Sequence, residues 1–172
     1  MVSSAHGLAA VQFGRTAAAA GIMLIFLDTE FTGLGQANPK LISLTLVPAD
    51  GRYPPFYAEI AEGDGWTLND CNSFVLREVL PILNGGKYIV PSTELCNLLL
   101  AWLAVMPRSV QIACDSVIDF RFLMKILDAD WPNKLDKQYV DLSALITNSV
   151  YDKTVYLYYT KERPMHHSLA DA

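Results

Sequence analysis

The chain has 172 residues, of which 52% are hydrophobic and 18% are charged, and its formal net charge is −5. This length is enough for one domain with a substantial core and is short for two. The composition excludes a disordered chain. The acidic balance argues against tight, nonspecific binding of duplex nucleic acid, because proteins of that kind carry a basic surface.

Cysteine spacing and hydropathy limit the class of protein further. Cys71, Cys96 and Cys114 are far apart and form no C-x-x-C pair, so we expect neither a disulfide framework nor a structural zinc site. This pattern indicates a reducing environment and predicts a cytoplasmic protein whose cysteines are buried as small hydrophobic residues. No apolar run approaches the roughly 18 to 20 residues that span a bilayer, so we expect no membrane segment.

The N-terminal residues 1–21 are rich in alanine and serine and contain one arginine and no acidic residue. One basic residue is too few for a typical targeting peptide. We therefore expect a disordered extension, followed by a single domain over residues 22–172.

The first half of this domain has the pattern of three strands. Ile22–Asp28 is a continuous apolar run that ends in an acid, as a central strand buried on both faces would. Leu41–Val47 has β-type composition and follows a loop rich in glycine and proline. An Asp-Gly turn signal at residues 50 and 51 separates it from a return strand over Pro55–Ile60, so the three strands are predicted to form an antiparallel meander.

The second half has an alternating pattern of helices and strands. Pro81 is expected to kink or end the first helix, and Ser92 or Thr93 to cap the second. Together with the meander, this alternation predicts an α/β fold with a mixed sheet and helices on both faces. The helices are expected over Asn72–Leu83, from Pro91 to Met106, Val117–Leu127 and Leu142–Ser149, and the strands over Val110–Cys114 and Gln138–Asp141.

Two acids, Asp28 and Glu30, follow the first apolar run. Residues i and i+2 of a strand project to the same face, so these carboxylates are expected to point together. Paired carboxylates repel each other unless they are neutralised, and divalent cations commonly do this in proteins. The alternative is a strand that ends in solvent with acids at its end, because such triplets are common by chance.

The segment Phe26–Leu34, FLDTEFTGL, strongly resembles the first motif of the DnaQ-like (DEDD) 3′–5′ exonuclease superfamily. This resemblance implies a ribonuclease H-like, three-layer α/β fold. In that family the turn after the motif and the apolar residue that follows hold the terminal nucleotide. By resemblance, Thr32, Gly33 and Leu34 are candidates for substrate binding, and Phe31 is a candidate for stacking on a base.

The segment Cys114–Leu123 resembles the second motif of the same family, and Asp119 takes the position of its metal ligand. A carboxylate in the first turn of a helix is favoured by the helix dipole. Asp115 lies about one helical turn earlier, where relatives often carry asparagine, and we expect it to be the N-cap of the helix. Phe120 and Phe122 are expected in the core.

The segment His166–Asp171 resembles the third motif of the DEDDh subgroup, in which a catalytic histidine precedes the last aspartate by five residues. That spacing selects His166 over His167. Histidine is the side chain best suited to take up a proton near neutral pH, which is the role of a general base. We expect His167 to be an exposed polar residue or a neighbour that supports the site.

The resemblance implies two-metal hydrolysis of phosphodiester bonds with two Mg²⁺ or Mn²⁺ ions about 3.5 to 4 Å apart. Asp28 would bridge the ions, Glu30 and Asp171 would complete one site, and Asp119 would bind the other ion. His166 would act as the general base. The expected substrate is the 3′ end of single-stranded RNA or DNA, and the expected products are nucleoside 5′-monophosphates.

RNA is preferred over DNA because Phe31 is bulky and apolar, as in oligoribonuclease-like members and a group of bacterial exoribonucleases. Two alternatives stay open, a proofreading-type exonuclease that acts on DNA and a truncated or degenerate relative that binds nucleic acid with little turnover. The second arises because the chain ends one residue after Asp171, where the family's helix normally continues. Four tyrosines within Tyr151–Thr160 indicate a lid, an added strand or a homodimer contact.

Overall fold

The computed structural model describes residues 21–107, 109–145, 158–160 and 164–172. The expected N-terminal extension lies outside the described residues, apart from Gly21. So do the second half of the helix expected over Leu142–Ser149 and most of the tyrosine-rich segment.

Six strands of the described chain form one mixed sheet with the order β4-β3-β2-β1-β5-β6. The β1-β2 and β2-β3 pairs are antiparallel, which confirms the predicted meander. The β1-β5, β5-β6 and β3-β4 pairs are parallel, so the α/β class and the mixed sheet are also confirmed. The strands are β1 (Ile22–Phe31), β2 (Leu41–Pro48), β3 (Phe56–Ile60), β4 (Ile89–Val90), β5 (Ser109–Cys114) and β6 (Leu135–Asp141).

The described helices lie on the two faces of this sheet. Helices α1 (Ser92–Ala104) and α2 (Val117–Leu127) pack on one face. The short helix α3 (Ser168–Asp171) contacts β1 and β2 on the other face. This arrangement is compatible with a three-layer fold. The core beneath α1 and α2 includes Ile25, Leu27, Leu44, Leu46, Ile112, Leu99, Leu103, Leu123 and Leu127.

The central strand β1 has different chemistry on its two faces. Its odd-numbered residues Ile25 and Leu27 belong to the apolar core. Asp28 and Glu30 lie opposite Thr45 and Ser43 of β2, so the other face is polar at this end of the sheet. The β1-β5 pairing ends at Phe26, and the last five residues of β1 therefore project past β5. This open edge is where the polar residues of β1 can meet the start of α2.

The segment expected as a helix over Asn72–Leu83, with a kink or an end at Pro81, is helical but irregular. It contains a π-helical turn over Val75–Val79 and a 3-10 turn over Leu80–Ile82. The Asn72 side chain accepts the Val75 N–H at 2.9 Å, and Pro81 has no N–H to continue a ladder of α-helical hydrogen bonds.

The predicted caps of both long helices are wrong. Pro91 is the N-cap of α1, and neither Ser92 nor Thr93 caps it with a side chain. Instead, the N–H and the hydroxyl of Ser92 both donate at 2.6 Å to the carboxylate of Asp64, which is distant in sequence. At α2 the N-cap is Ser116, whose hydroxyl accepts the Ile118 N–H at 3.1 Å.

The other boundaries agree with the sequence to within a few residues. Helix α2 has the predicted bounds, and its Phe120 and Phe122 are buried as expected, whereas Met124 is half exposed. Strand β1 is three residues longer than predicted at its C-terminal end, and β6 begins three residues early.

The cysteines form no disulfide; Cys114 is buried, and the other two are only half-buried. Within the described ranges, no helix combines the length and the apolar character that a membrane crossing requires.

Candidate metal centre and nucleotide cleft

Asp28 lies at the centre of a carboxylate cluster at the open end of β1. Its Oδ2 atom is fully buried, and it receives no hydrogen bond from any described residue. A buried carboxylate oxygen with no donor is costly, because its water is removed and not replaced. This atom therefore needs either a proton or a cation.

Four acids surround this position, and with Asp28 they form two groups that share it. Asp28, Glu30 and Asp171 form the first group, and Asp28, Asp115 and Asp119 form the second. Within each group, one oxygen atom per residue lies within 4.8 Å of the others. The structure thus brings together the four acids that the sequence predicts and adds Asp115. The expected N-cap role of Asp115 is wrong, because Ser116 occupies that position.

Asp119 reaches the cluster from the first turn of α2 and is only 2% exposed. Its carboxylate accepts a hydrogen bond of 2.5 Å from the hydroxyl of Thr29, on the helix-facing side of β1. A carboxylate at a helix N-terminus is stabilised by the helix dipole, so α2 can present a buried acid at this place.

Burial and mutual repulsion favour the protonated form of these acids. The pKa of Asp28 is raised well above its ordinary value by burial first, and then by the charges of Asp119 and Glu30. Burial and the charge of Asp171 raise the pKa of Glu30 to about 8. Burial raises the pKa of Asp119 to about 7, although the Thr29 hydrogen bond opposes this shift. None of the ion pairs between described residues neutralises these acids.

The donor set fits a hard divalent cation. Carboxylate oxygens are the preferred ligands of Mg²⁺ and Mn²⁺. Asp28 contributes one carboxylate oxygen to each group, and its Oδ2 accepts no hydrogen bond from the described residues. The side chains present are therefore suited to divalent cations, which would also remove the repulsion that raises the pKa values.

His166 lies beside this cluster in a backbone conformation with φ of 65°. Its backbone N–H donates to Oδ2 of Asp171 at 3.0 Å, and its ring meets the ring of Phe74 edge-on at a centroid distance of 4.9 Å. Asp171 is an exposed residue, but the groups around its carboxyl partly remove that carboxyl from water. This desolvation raises the pKa of Asp171, whereas the hydrogen bonds from Tyr159 and His166 lower it.

The two residues after His166 anchor this segment to the polar face of the sheet. His167 is 5% exposed and stacks on the Tyr57 ring at a centroid distance of 5.1 Å. The Ser168 hydroxyl lies 3.1 Å from that of Ser43 and 2.8 Å from that of Thr45. The expectation of an exposed His167 is therefore wrong, because polar side chains of β2 and β3 give this segment a surface to pack on.

Tyr57 belongs to a polar network that the sequence did not reveal. Its hydroxyl donates to Glu59, a buried acid that also accepts the N–H groups of Asn84 at 2.7 Å and Gly85 at 2.9 Å. Glu59 thus accepts three hydrogen bonds, whereas Oδ2 of Asp28 accepts none from the described residues. Because its charge is already stabilised by these donors, Glu59 is not a candidate for holding a cation.

The acids and His166 line a cleft with a volume of about 490 Å³. Apolar residues also line it, among them Phe31, Leu34 and Phe74. Leu34 is 75% exposed, and Phe74 is 42% exposed. Once cations neutralise the acids, the exposed apolar side chains beside them can hold a group that is flat and apolar on its faces and anionic at one end, as a nucleotide is.

Only some of the substrate-binding residues predicted in the turn after Glu30 line this cleft. Gly33 lines it with φ of 149°, and a Cβ at this position would come within 2.4 Å of the Asn72 side chain, so glycine is required. Thr32 is completely buried, and its hydroxyl donates to Gln36 at 2.6 Å and accepts the Lys40 N–H at 3.0 Å. Thr32 therefore shapes the loop, and the expected contact of its side chain with substrate does not fit this position.

Comparison with known proteins adds no relative to this description. No protein-family model matches the chain, and no curated protein is significantly similar to it.

Proposed function

We propose that the chain is a metal-dependent 3′-to-5′ exonuclease that acts on single-stranded nucleic acid and prefers RNA. The observation that carries this proposal is the convergence of Asp28, Glu30, Asp119, Asp171 and His166 on one cleft. These residues come from three segments that are distant in sequence, and each segment resembles one motif of the DEDDh exonucleases.

A ribonuclease H-like fold is part of the same proposal. The six-stranded mixed sheet, with its antiparallel meander and parallel β5 and β6, is compatible with that architecture. The acids at the projecting end of β1 have the position that such a fold would give to its catalytic centre.

Each of the two groups of three acidic residues would hold one divalent cation. Asp28, Glu30 and Asp171 would hold one, and Asp28 with Asp119 would hold the other, together with Asp115, which lies in the same group. Bound there, Mg²⁺ or Mn²⁺ would supply Lewis-acid stabilisation of the charge that develops on the phosphate.

The side chains of the cleft would perform the remaining steps. His166 would accept a proton from the attacking water, and its edge contact with Phe74 restricts the orientation of its ring. Leu34 and Phe31 would contact the terminal nucleotide, since both line the cleft beside the acids. Phe31 also packs on Phe122 at a centroid distance of 5.7 Å, which gives it a fixed position. Its bulk supports the preference for RNA.

The proposal is tested with a single-stranded RNA and a DNA of the same sequence, each labelled at the 5′ end. The protein is incubated with each strand in Mg²⁺, Mn²⁺ or EDTA, and the products are separated on a denaturing gel. We expect a ladder that shortens from the 3′ end with either metal, faster for RNA, and no shortening in EDTA. Binding of both strands without shortening in any metal would contradict the proposal, and faster shortening of DNA would favour a proofreading-type activity.

A further inference from the structure

Thr29 lies between Asp28 and Glu30 in sequence, but its side chain projects from the opposite face of β1. The residue is 5% exposed and pairs with the core residue Leu44 of β2. A hydroxyl group buried next to apolar side chains needs a hydrogen-bond partner. Its partner is Asp119, which is 90 residues away in sequence and accepts the hydroxyl proton at 2.5 Å.

The open edge of β1 allows this contact. Beyond Phe26, strand β1 has no paired residue on β5, so the start of α2 can approach its backbone. The contact is a hydrogen bond from the side chain, so it depends on the identity of the residue at position 29.

We propose that Thr29 is a positioning residue, whose hydroxyl holds the Asp119 carboxylate facing Asp28 and Asp115 before a cation binds. The inference rests on the proposed function, because Asp119 belongs to the acidic cluster of the proposed site. A carboxylate has a broad range of rotations about its last torsion angle, and a hydrogen bond to one oxygen fixes that rotation. Loss of such a supporting hydrogen bond typically lowers metal affinity or activity by roughly 10- to 100-fold.

A purely structural role for Thr29 predicts a different outcome. In that case the hydroxyl satisfies its own hydrogen bond with the nearest acceptor, and its removal lowers stability alone. Metal affinity separates the two roles, because a structural residue leaves the affinity of the folded protein unchanged.

The test is a calorimetric titration of metal-free protein with Mn²⁺, without nucleic acid. Thr29→Val keeps the shape and the backbone N–H and removes the hydroxyl, whereas Thr29→Ser keeps the hydroxyl. We expect Thr29→Val to weaken Mn²⁺ binding by roughly 10- to 100-fold and Thr29→Ser to restore it to near the wild-type value. The matched control is Ser92→Ala, which removes a 2.6 Å hydroxyl–carboxylate hydrogen bond outside the cleft. We expect this variant to bind Mn²⁺ with the affinity of the wild type.

If the folded Thr29→Val variant binds Mn²⁺ with the wild-type affinity, the positioning role is wrong. If Thr29→Val does not fold, Thr29→Ala is titrated at a lower temperature and judged by the same criterion. A wild-type protein that binds no Mn²⁺ contradicts the proposed function itself, which distinguishes the two failures. With labelled RNA, we further expect Thr29→Val to lower kcat while the KM for RNA stays near the wild-type value.

Discussion

The carboxylate of Asp28 combines burial with an oxygen that no described donor reaches, so its charge opposes folding unless a proton or a cation neutralises it. Asp28→Asn removes that charge and keeps the shape. We expect the metal-free variant to melt several degrees higher than the wild type, since about 1 kcal/mol corresponds to roughly 2–4 °C for a domain of this size. We also expect Mn²⁺ binding to be lost and kcat to fall at least about a thousandfold, because the charge stabilisation lost is several kcal/mol.

Differential scanning fluorimetry in EDTA and the labelled-RNA assay measure these two effects. The matched control is Asp130→Asn, which makes the same change in charge at an exposed position outside the cleft. An Asp28→Asn variant that is less stable than the wild type in EDTA would show that this carboxylate is already neutralised.

The adjacent histidines have different surroundings, and their substitution should have different effects. His166 lines the cleft, so His166→Ala is expected to lower kcat by roughly 10²- to 10⁴-fold, the usual range for a general base, at a nearly unchanged Tm. His167 is buried against Tyr57, so His167→Ala is expected to lower Tm by several degrees and kcat much less. Equal losses of kcat in two equally stable variants would contradict the assignment of His166.

At the scale of elements, the segment 164–172 docks on the sheet through the hydroxyl group of Ser168. Ser168→Ala leaves the buried hydroxyls of Ser43 and Thr45 without this partner, and each unsatisfied group costs about 1–3 kcal/mol. We expect a lower Tm and weaker Mn²⁺ binding, because Asp171 follows on the same short helix.

A triple variant provides the control for this prediction. Ser168→Ala combined with Ser43→Ala and Thr45→Val replaces all three hydroxyls by apolar groups, so no buried donor is left unsatisfied. We expect the triple variant to be more stable than the sum of the single changes predicts. Additive losses in thermal melts would show that the three hydroxyls do not act as a unit.

The elements that the sequence predicted well are those whose signals are local. The apolar run of β1 and the spacing of α2 fix these elements whatever surrounds them. The start of α1 is bound by the carboxylate of Asp64, which is distant in sequence, so this contact has no signal in its own segment. The irregular turn after Asn72 has local causes, the Asn72 acceptor and Pro81, but the apolar spacing does not distinguish a π-helical turn from an α-helix.

The features of the site can also be separated into those with a local sequence signal and those without one. Strand alternation predicts that Asp28 and Glu30 point together, and the motif resemblance adds Asp119, His166 and Asp171, which do lie together. Other contacts join residues that are far apart in sequence. The Thr29 bond to Asp119 and the packing of His167 on Tyr57 require knowledge of which strand faces which helix, and no spacing within one segment provides it.

At the scale of the whole molecule, the raised pKa values make stability depend on pH. A carboxyl whose pKa is higher in the folded state binds its proton more tightly there, so its contribution to stability is complete below the unfolded pKa. That contribution is lost as the pH rises through the folded pKa, which is about 7 for Asp119 and about 8 for Glu30. Acids whose pKa is lowered, such as Asp70, lose their contribution only in more acidic solution.

The metal-free protein is therefore expected to lose stability between about pH 5 and pH 8, and divalent cations should reverse this trend. Cations bind the deprotonated carboxylates, so their affinity rises with pH and their binding releases protons. Melting curves at pH 5, 6, 7 and 8 in EDTA should show a falling Tm, and saturating Mn²⁺ should raise Tm most at pH 8. Asp28→Asn should flatten the curve in EDTA, since it removes one of the interacting charges. A Tm in EDTA that rises steadily from pH 5 to pH 8 would mean that the cluster is ionised and already stabilised within the protein, which would remove the electrostatic argument for a metal centre.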